Sequence, residues 1–584
     1  MNSRLPTRLN SAAFPVGPLL CLAALLCAGF TTGCYARRGN NAERLAQQIE
    51  EGKTKNDHLR KALRHLVQMT PVNRENYIPE VQLELNTWLK DADTTSSQYA
   101  PSPLLQSIPA DRLEAVGCSH PVNLNFSYWD VEYLFERHLM QQLAKWVIAF
   151  PMRDNLLQPV LEKERSHQTP AEALQLEEAY KLFDWTIRNI ALTPDREPSE
   201  DLLENPTSLS GDRVLGCDYL PWETVLYSSG DFVERGRVFT ALADQRGIDT
   251  FWVANEAAGA AAGKLWTIGV LIGKDVYLFE PSLGMPILDP DAETLATLAA
   301  AQTNDRILRR LDLPGQFDYP LDAGELKSIK LFMDVVPAAG SARMKILEGQ
   351  LLGEERMVLF EDLDALQSRI SAAVPDAPVE IWQAPLLAQL RAAEVREMLK
   401  TTSPAMMNYL NQHGVWLMDN PAARGRLAHL WGEFENTNEK RGALALYMDN
   451  RIDDDSLRKL LNDPDVQREL GVPRAPGEPM EQYQMRVLQA QAVLGLAKVD
   501  TAFLLAQLHF DRGNYEAAEN FLRKRVLEDG RAQKWHAAGW YLLGRIEQEL
   551  GRLPEATEAL THQPSPQEPG NRLRLRYLKR EASN

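Results

Sequence analysis

Residues from about 205 to 385 alternate between helix-like and strand-like segments, and they lie between two long stretches whose apolar residues recur at helical spacing. That layout confines the chain to an α+β multidomain fold that is predominantly helical. A helix over 231–246 leads to a strand at 250–254. A Gly/Ala turn then precedes two β-rich runs, 265–272 and 275–279, with Gly273-Lys274 between them as a hairpin turn. Beyond these, the pattern predicts strands at 329–336, 357–360 and 379–382 and helices at 342–351 and 363–373.

The flanking stretches are simpler. Leu59, Leu63 and Leu66, then Val81, Leu83, Leu85 and Leu89, mark N-terminal helices, and residues 91–103 read as a polar linker. Apolar stripes follow over 128–148 and 174–190, where Tyr133, Trp146, Tyr180 and Phe183 read as core rather than as a cofactor box. From Pro385 onward the chain reads as helix, broken by Pro and Gly at 472–477. The divisions are a leader at 1–33, a helical region at 34–170, a mixed core at 171–300 and an α/β region at 301–385. A helical region at 386–478, paired helices at 479–565 and a basic tail at 566–584 complete the chain.

The leader is an address. Arg4 and Arg8 precede an uncharged Leu/Ala-rich run over 14–30, and Thr31-Thr32-Gly33-Cys34 follows. This junction resembles a bacterial lipobox, which implies a lipid on Cys34 and a cell-envelope protein anchored on the periplasmic side. Thr31 stands where that pattern prefers Leu. An uncleaved anchor helix of about 20 residues and plain cleavage are the alternatives, and all three export the chain. A net charge of −17 sets aside nucleic acid as a partner. Of five cysteines, Cys118 and Cys217 fall in the folded part, where they either pair as a disulfide or sit as small buried side chains. No CxxC or clustered His/Cys spacing points to a metal, and no cofactor is expected.

Residues 174–290 resemble the transglutaminase-like superfamily. The resemblance rests on Ala179-Tyr180-Lys181-Leu182-Phe183-Asp184-Trp185 with Asn189-Ile190, on the helix from Phe232 to Gly247-Ile248, and on the strands from Lys264-Leu265-Trp266 to Phe279-Glu280-Pro281. It implies a papain-like α+β core with a cysteine nucleophile at the helix start, a histidine base on the next strand and an orienting aspartate. At those positions stand Phe232, Lys264 and Glu280. Phenylalanine offers no nucleophile, and no histidine occurs between His167 and His413. The nearest thiol, Cys217, would need a histidine brought from elsewhere in the chain. The expectation is a non-catalytic core. Residues 276–287 and Pro221-Trp222-Glu223 also resemble exported proteins of planctomycete-type bacteria, which implies no function.

Two C-terminal windows resemble tetratricopeptide repeats. Ala506, Gly513, Tyr515 and Ala518 mark the first, and Trp540, Gly544, Gly551 and Ala556 the second. Segments 480–496 and 422–450 would supply neighbouring helices. The resemblance implies a groove that binds a protein or peptide partner. The basic run Arg572 to Arg580 reads as a solvated helix, and Asp453-Asp454-Asp455 as a helix N-terminus rather than a calcium loop. The function expected is a non-catalytic, envelope-anchored protein that binds a protein or peptide. The alternative is a thiol-dependent hydrolase or acyltransferase using Cys217.

Overall fold

Capping decides where the central helices begin. In the computed structural model, which describes residues 57–91, 99–117, 121–194, 215–255, 264–291 and 293–581, α1 (Tyr128–Ala149) starts at Ser127. The Ser127 side chain accepts from the Asp130 N–H, and Asp130 returns a bond to the Ser127 N–H. Helix α2 (Pro170–Asn189) starts with the same reciprocal box, Thr169 with Glu172, and with Pro170 at the first turn. A short helix α3 (Pro221–Tyr227) leads into α4 (Phe232–Asp244), capped by Asp231 with Glu234.

Six strands form the main sheet: β3 (Asp249–Asn255), β4 (Lys264–Ile272), β5 (Asp275–Glu280), β6 (Met285–Pro286), β9 (Ile329–Met333) and β10 (Val379–Ile381), in the order β10-β9-β3-β4-β5-β6. All neighbours are antiparallel except β9 and β10, so β3-β4-β5 is a meander that directly follows α4. Its hairpin turn is the expected Gly273-Lys274, with Gly273 at φ +62°. Two small ribbons accompany the sheet. One pairs β1 (Ala191–Leu192) with β2 (Ser229–Gly230) in parallel, and the other pairs β7 (Leu288–Asp289) with β8 (Thr294–Leu295). Helix α4 lies close on β3 because Gly236 has no side chain. A Cβ there would stand 2.4 Å from the Trp252 ring. Phe251, Trp252, Val253, Ile268, Val270 and Phe279 are fully buried, each contributing about 1.5–3 kcal/mol of apolar transfer.

The helical C-terminal part contains α5 (Pro404–Leu417), α6 (Pro421–Leu430), α7 (Met480–Asp511), α8 (Tyr515–Phe521), α9 (Gln533–Glu549), α10 (Leu553–Leu560) and α11 (Glu568–Glu581). Gly513 and Gly551 turn α7 into α8 and α9 into α10 at φ +76° and +72°. Helix α7 is long and apolar enough to cross a membrane, but 67% of its apolar window is buried in protein, and it serves as a core helix. His58–Asn584 make up one compact unit.

The structure is predominantly helical with a mixed sheet, in keeping with the α+β multidomain expectation, and it corrects several finer readings. Residues 357–360 are irregular rather than a strand, with Met357 and Leu359 buried and Val358 and Phe360 half-buried, because side chains satisfy their backbone. Glu348 accepts from the Leu359 and Phe360 N–H groups, and Gln245 and Arg137 bond Val358. Segment 480–496 is not a separate helix but the first half of α7, since no breaker separates it from Ala506. Segment 422–450 divides into α6 and a second helix, Ala443–Asp449. Leu83 is 66% exposed, two residues out of phase with buried Val81 and Leu85. The basic tail is docked rather than solvated: Leu573 and Arg574 of α11 are buried. Asp453 caps the helix Asp454–Lys459 as expected.

Candidate functional site

The N-terminus of α4 is closed by carboxyl groups. Asp231 Oδ1 accepts from the Val233 and Glu234 N–H groups at 2.9 and 2.8 Å, and Oδ2 accepts from the Gly216 N–H at 2.7 Å. Glu234 accepts from the N–H groups of Asp231 and Tyr219, both at 3.0 Å. These bonds tie the loop 216–219 to the helix end. Burial pushes the Asp231 carboxyl up to about 6 despite its backbone donors, and burial together with Asp231 and Asp218 pushes Glu234 well above the usual range. A helix end filled in this way stabilises no thiolate.

The three positions named by the resemblance are arranged as follows. Phe232 opens α4, is 9% exposed and meets the Trp252 ring edge-on, with ring centroids 6.4 Å apart. Lys264 opens β4 and pairs with Asn255 through the backbone. Glu280 ends β5, buried, where it accepts from Tyr319 Oη at 2.9 Å and Ser282 Oγ at 2.8 Å. Trp266 Nε1 donates to the same Tyr319 hydroxyl. Glu280 thus belongs to a buried polar cluster with Tyr319 and Trp266.

Cys217 is buried, and its Sγ lies 3.7 Å from the Ala384 carbonyl oxygen. Burial pushes its thiol far up. Arg237 opposes the shift, while Asp231, Glu234 and Asp218 add to it. Cys34 and Cys118 lie outside the described residues. A histidine from elsewhere in the chain does arrive beside this loop. His413 of α5 is buried with its Nε2 3.3 Å from Tyr219 Oη, inside rings of Tyr219, Tyr227 and Tyr409 at 5.5, 4.4 and 4.6 Å. No chemical motif in the sequence marks it. Its one signal was the helical spacing of Tyr409, His413 and Trp416, which places a histidine on an aromatic face.

These residues border a cleft of about 1190 Å³. One wall is Ala191–Pro194 of the β1 segment with Asp218, Tyr219, Asp231 and Glu234. A second comes from α5 through Asn411, Gln412, His413 and Trp416. The third is the first half of α9, from Gln533 to Ala537 with Trp540, and residues 562–566 with Glu568. A side cavity of about 240 Å³ shares Asp218, Tyr219, Gln412 and His413 with the cleft and reaches Arg391.

No family model, curated protein or solved structure matches this chain. The cleft's own chemistry therefore has to carry its function. Among the described residues, no group of three or more His, Cys, Asp or Glu side chains is placed to hold a metal ion.

The repeat-like positions divide between packing and the cleft. Ala506, Ala518 and Ala556 are fully buried, and a Cβ on Gly544 would lie 2.6 Å from Leu560 Cγ. Tyr515 packs on Phe510 with ring centroids 5.2 Å apart. Trp540 instead turns into the cleft, stacked on His562 at 4.1 Å.

Proposed function

We propose that the protein is a non-catalytic binding protein of the cell envelope, anchored through a lipid on Cys34, that receives a protein or peptide segment in the cleft. The core is read as transglutaminase-like without its chemistry, and the α7–α8 and α9–α10 hairpins as tetratricopeptide-like pairs. The helix α4 followed by the β3-β4-β5 meander supports the first reading. The glycine turns and buried alanines of the two hairpins support the second. The single observation that carries the function is the cleft itself. It opens beside the N-terminus of α4, at Asp231 and Glu234, it exceeds a drug-sized pocket of about 300–1,000 Å³, and its far wall is helix α9.

The second reading, a thiol hydrolase, is favoured by the arrival of His413 beside the loop that carries Cys217. The buried, carboxylate-surrounded thiol opposes it. Two assays decide. Ala537→Trp, which fills the cleft from α9, is expected to abolish peptide binding measured by tryptophan fluorescence. Peptide and amine-transfer turnover is expected to be absent with and without a thiol alkylator. Turnover lost both on alkylation and in Cys217→Ser would replace the binding reading by the hydrolase.

A further inference from the structure

A second cavity, of about 70 Å³, lies between α1, α4 and the segment that follows β9. Five carboxyl groups border it: Glu136 of α1, Asp244 of α4, Asp249 at the start of β3, Asp334 after β9, and Glu361. Three guanidinium groups answer them, and each is taken by an aspartate. Arg137 pairs with Asp244, Arg237 Nε lies 3.5 Å from Asp334, and Arg369 of the helix Leu363–Ala373 makes two bonds to Asp249 at 2.5 and 2.9 Å. The two glutamates have no cation of their own. Glu136, 8% exposed, accepts from the Trp222 N–H at 3.3 Å, and Glu361 stands 3.8 Å from the Arg369 that Asp249 already holds. A buried carboxyl in that position keeps its proton. Burial pushes Glu136 up to about 7 against Arg237 and Arg137, with Asp334 adding to the rise. Burial pushes Glu361 up to about 8, helped by Asp244 and Asp249 and opposed by Arg369 and Arg137. The Tyr133 hydroxyl, which donates to the Leu359 carbonyl at 3.0 Å, is itself pushed up by burial and stays neutral.

Arg237 joins this cavity to the cleft. Its Nη1 donates to the Gly216 carbonyl at 3.0 Å, at the start of the loop 216–219, while its buried Nε faces Asp334 without a hydrogen bond. An ionised Glu136 is a stronger claimant for that guanidinium than a neutral carbonyl, because a charge-assisted bond is about twice as strong. At the other end, an ionised Glu361 meets Asp244 and Asp249 with one shared arginine. There the segment 334–361 rests on α1 through the Tyr133 and Arg137 bonds to the Leu359 and Val358 carbonyls.

We propose that this cavity is a proton-operated joint behind the cleft. With Glu136 and Glu361 protonated, the segment 334–361 closes on α1 and α4, and Arg237 holds the loop 216–219 in place. Loss of the two protons draws Arg237 to Glu136, frees the Gly216 carbonyl and loosens both the segment and the cleft loop. The device does not depend on what the cleft binds. Both folded values lie above the ordinary carboxylate range near about 4, so the closed state's advantage is present at low pH and is lost as pH rises through about 7 to about 8. Hydrogen exchange of the full chain at about pH 6 and about pH 9, corrected for the intrinsic pH dependence of exchange, tests it. Protection of residues 216–219 and 334–361 is expected to fall about tenfold or more between the two. Glutamine keeps the shape of the neutral carboxyl, so Glu136→Gln with Glu361→Gln is expected to hold its protection at the higher pH. The single variants separate the two arms even where the double variant is unstable: Glu136→Gln should keep the loop protected, and Glu361→Gln the segment. Unchanged protection in the unaltered chain overturns the joint. So does a fall that persists in every variant, which would assign it to Asp231, Glu223 and Glu234 beside the cleft.

Discussion

Helix α9 joins the rest of the molecule in two ways along its length. Its first half, from Gln533 to Trp540, faces an open cleft. Its second half, from Tyr541 to Gln548, is sealed by a buried ionic ladder. Arg574 donates to Asp154 at 2.6 Å, Arg545 to Asp184 at 2.8 Å, and Arg188 to both Asp184 and Asp511 at 2.8 and 2.7 Å. Arg545 also lies 3.4 Å from Asp154, which accepts from Tyr180 and Gln548 as well, and His429 lies 3.3 Å from Asp511. In the sealed half each charge meets an opposite charge of the protein. The open half borders the cleft and leaves room. A buried charge demands a partner of its own.

The largest expected effect comes from breaking the ladder. Asp154→Ala leaves Arg545 without one of its two carboxylates and Arg574 without its own in a dry interface, which costs about 3–5 kcal/mol. Denaturant unfolding should show that loss. Proteolysis is expected to release α9 to α11 first, because Asp154 is the ladder's contact to Arg574 of α11. A loss below about 1 kcal/mol would mean that the ladder does not seal the junction.

The two halves also predict opposite responses to pH. Burial alone would raise the Asp154 carboxyl, but Arg545 and Arg574 hold it far below the usual range, and Arg188 helps to hold Asp511 low against burial. Their contribution is present above the unfolded carboxylate range near about 4 and is lost as pH falls below it. Near the cleft, burial pushes Asp231 up to about 6 and Glu223 up to about 7, Glu223 against the pull of Arg74. These folded values exceed the unfolded ones, so the folded state binds protons in excess. The share of stability that these two carboxyls carry therefore falls as pH rises from about 4 to about 7, while His138, His429 and His509, whose imidazole pKa values burial lowers, add stability as pH rises over the acid side of that range. Melting temperature measured against pH should lose part of any decline through pH 6 in Asp231→Asn and part of its acid limb in Asp154→Ala, each relative to the unaltered chain. An Asp231→Asn profile parallel to that of the unaltered chain would contradict the buried state of Asp231.

Packing positions on α9 come next. Gly544→Ala places a methyl group 2.6 Å from Leu560 Cγ in the α9–α10 hairpin. Such overpacking costs about 1–3 kcal/mol. Thermal unfolding checks it, and an unchanged melting temperature would show that the hairpin can open without cost.

What the sequence disclosed and what it concealed follow from the range of the interactions. The Gly273-Lys274 turn, the helix Leu363–Ala373 and the Asp231 cap depend on neighbours in the chain, and each was legible. The segment 357–360 looked like a strand because Met357-Val358-Leu359-Phe360 is a short unbroken apolar run. Its backbone bonds go to side chains of α1 and α4 and their surroundings, which periodicity does not report. Arg574 looked solvated because its neighbours are charged, yet its partner Asp154 lies 420 residues away. The same holds for the site. Trp540 was legible as a repeat position but not as a cleft wall, and His413 meets Tyr219 across 194 residues. Composition gave no hint that either would border one cavity with Asp218.

The smallest effect on stability, and the sharpest contrast with the ladder, is expected at Trp540. It stands one helical turn before Gly544 and projects into the cleft, half-buried, with only the exposed His562 ring stacked over it. Truncation to alanine removes that stack and part of an apolar face, but it opens no sealed cavity, because the space beside it is already open. The folding cost should therefore be about 1 kcal/mol, well below the 3–5 kcal/mol that truncating a core aromatic costs. Binding is expected to respond more strongly, since an aromatic wall lost from a ligand site costs about tenfold in affinity. Measuring both in the same variant separates the two halves of α9. If Trp540→Ala destabilised the fold as much as Asp154→Ala and left peptide affinity unchanged, the first half of the helix would be a structural joint like the second, and the cleft would have no binding wall.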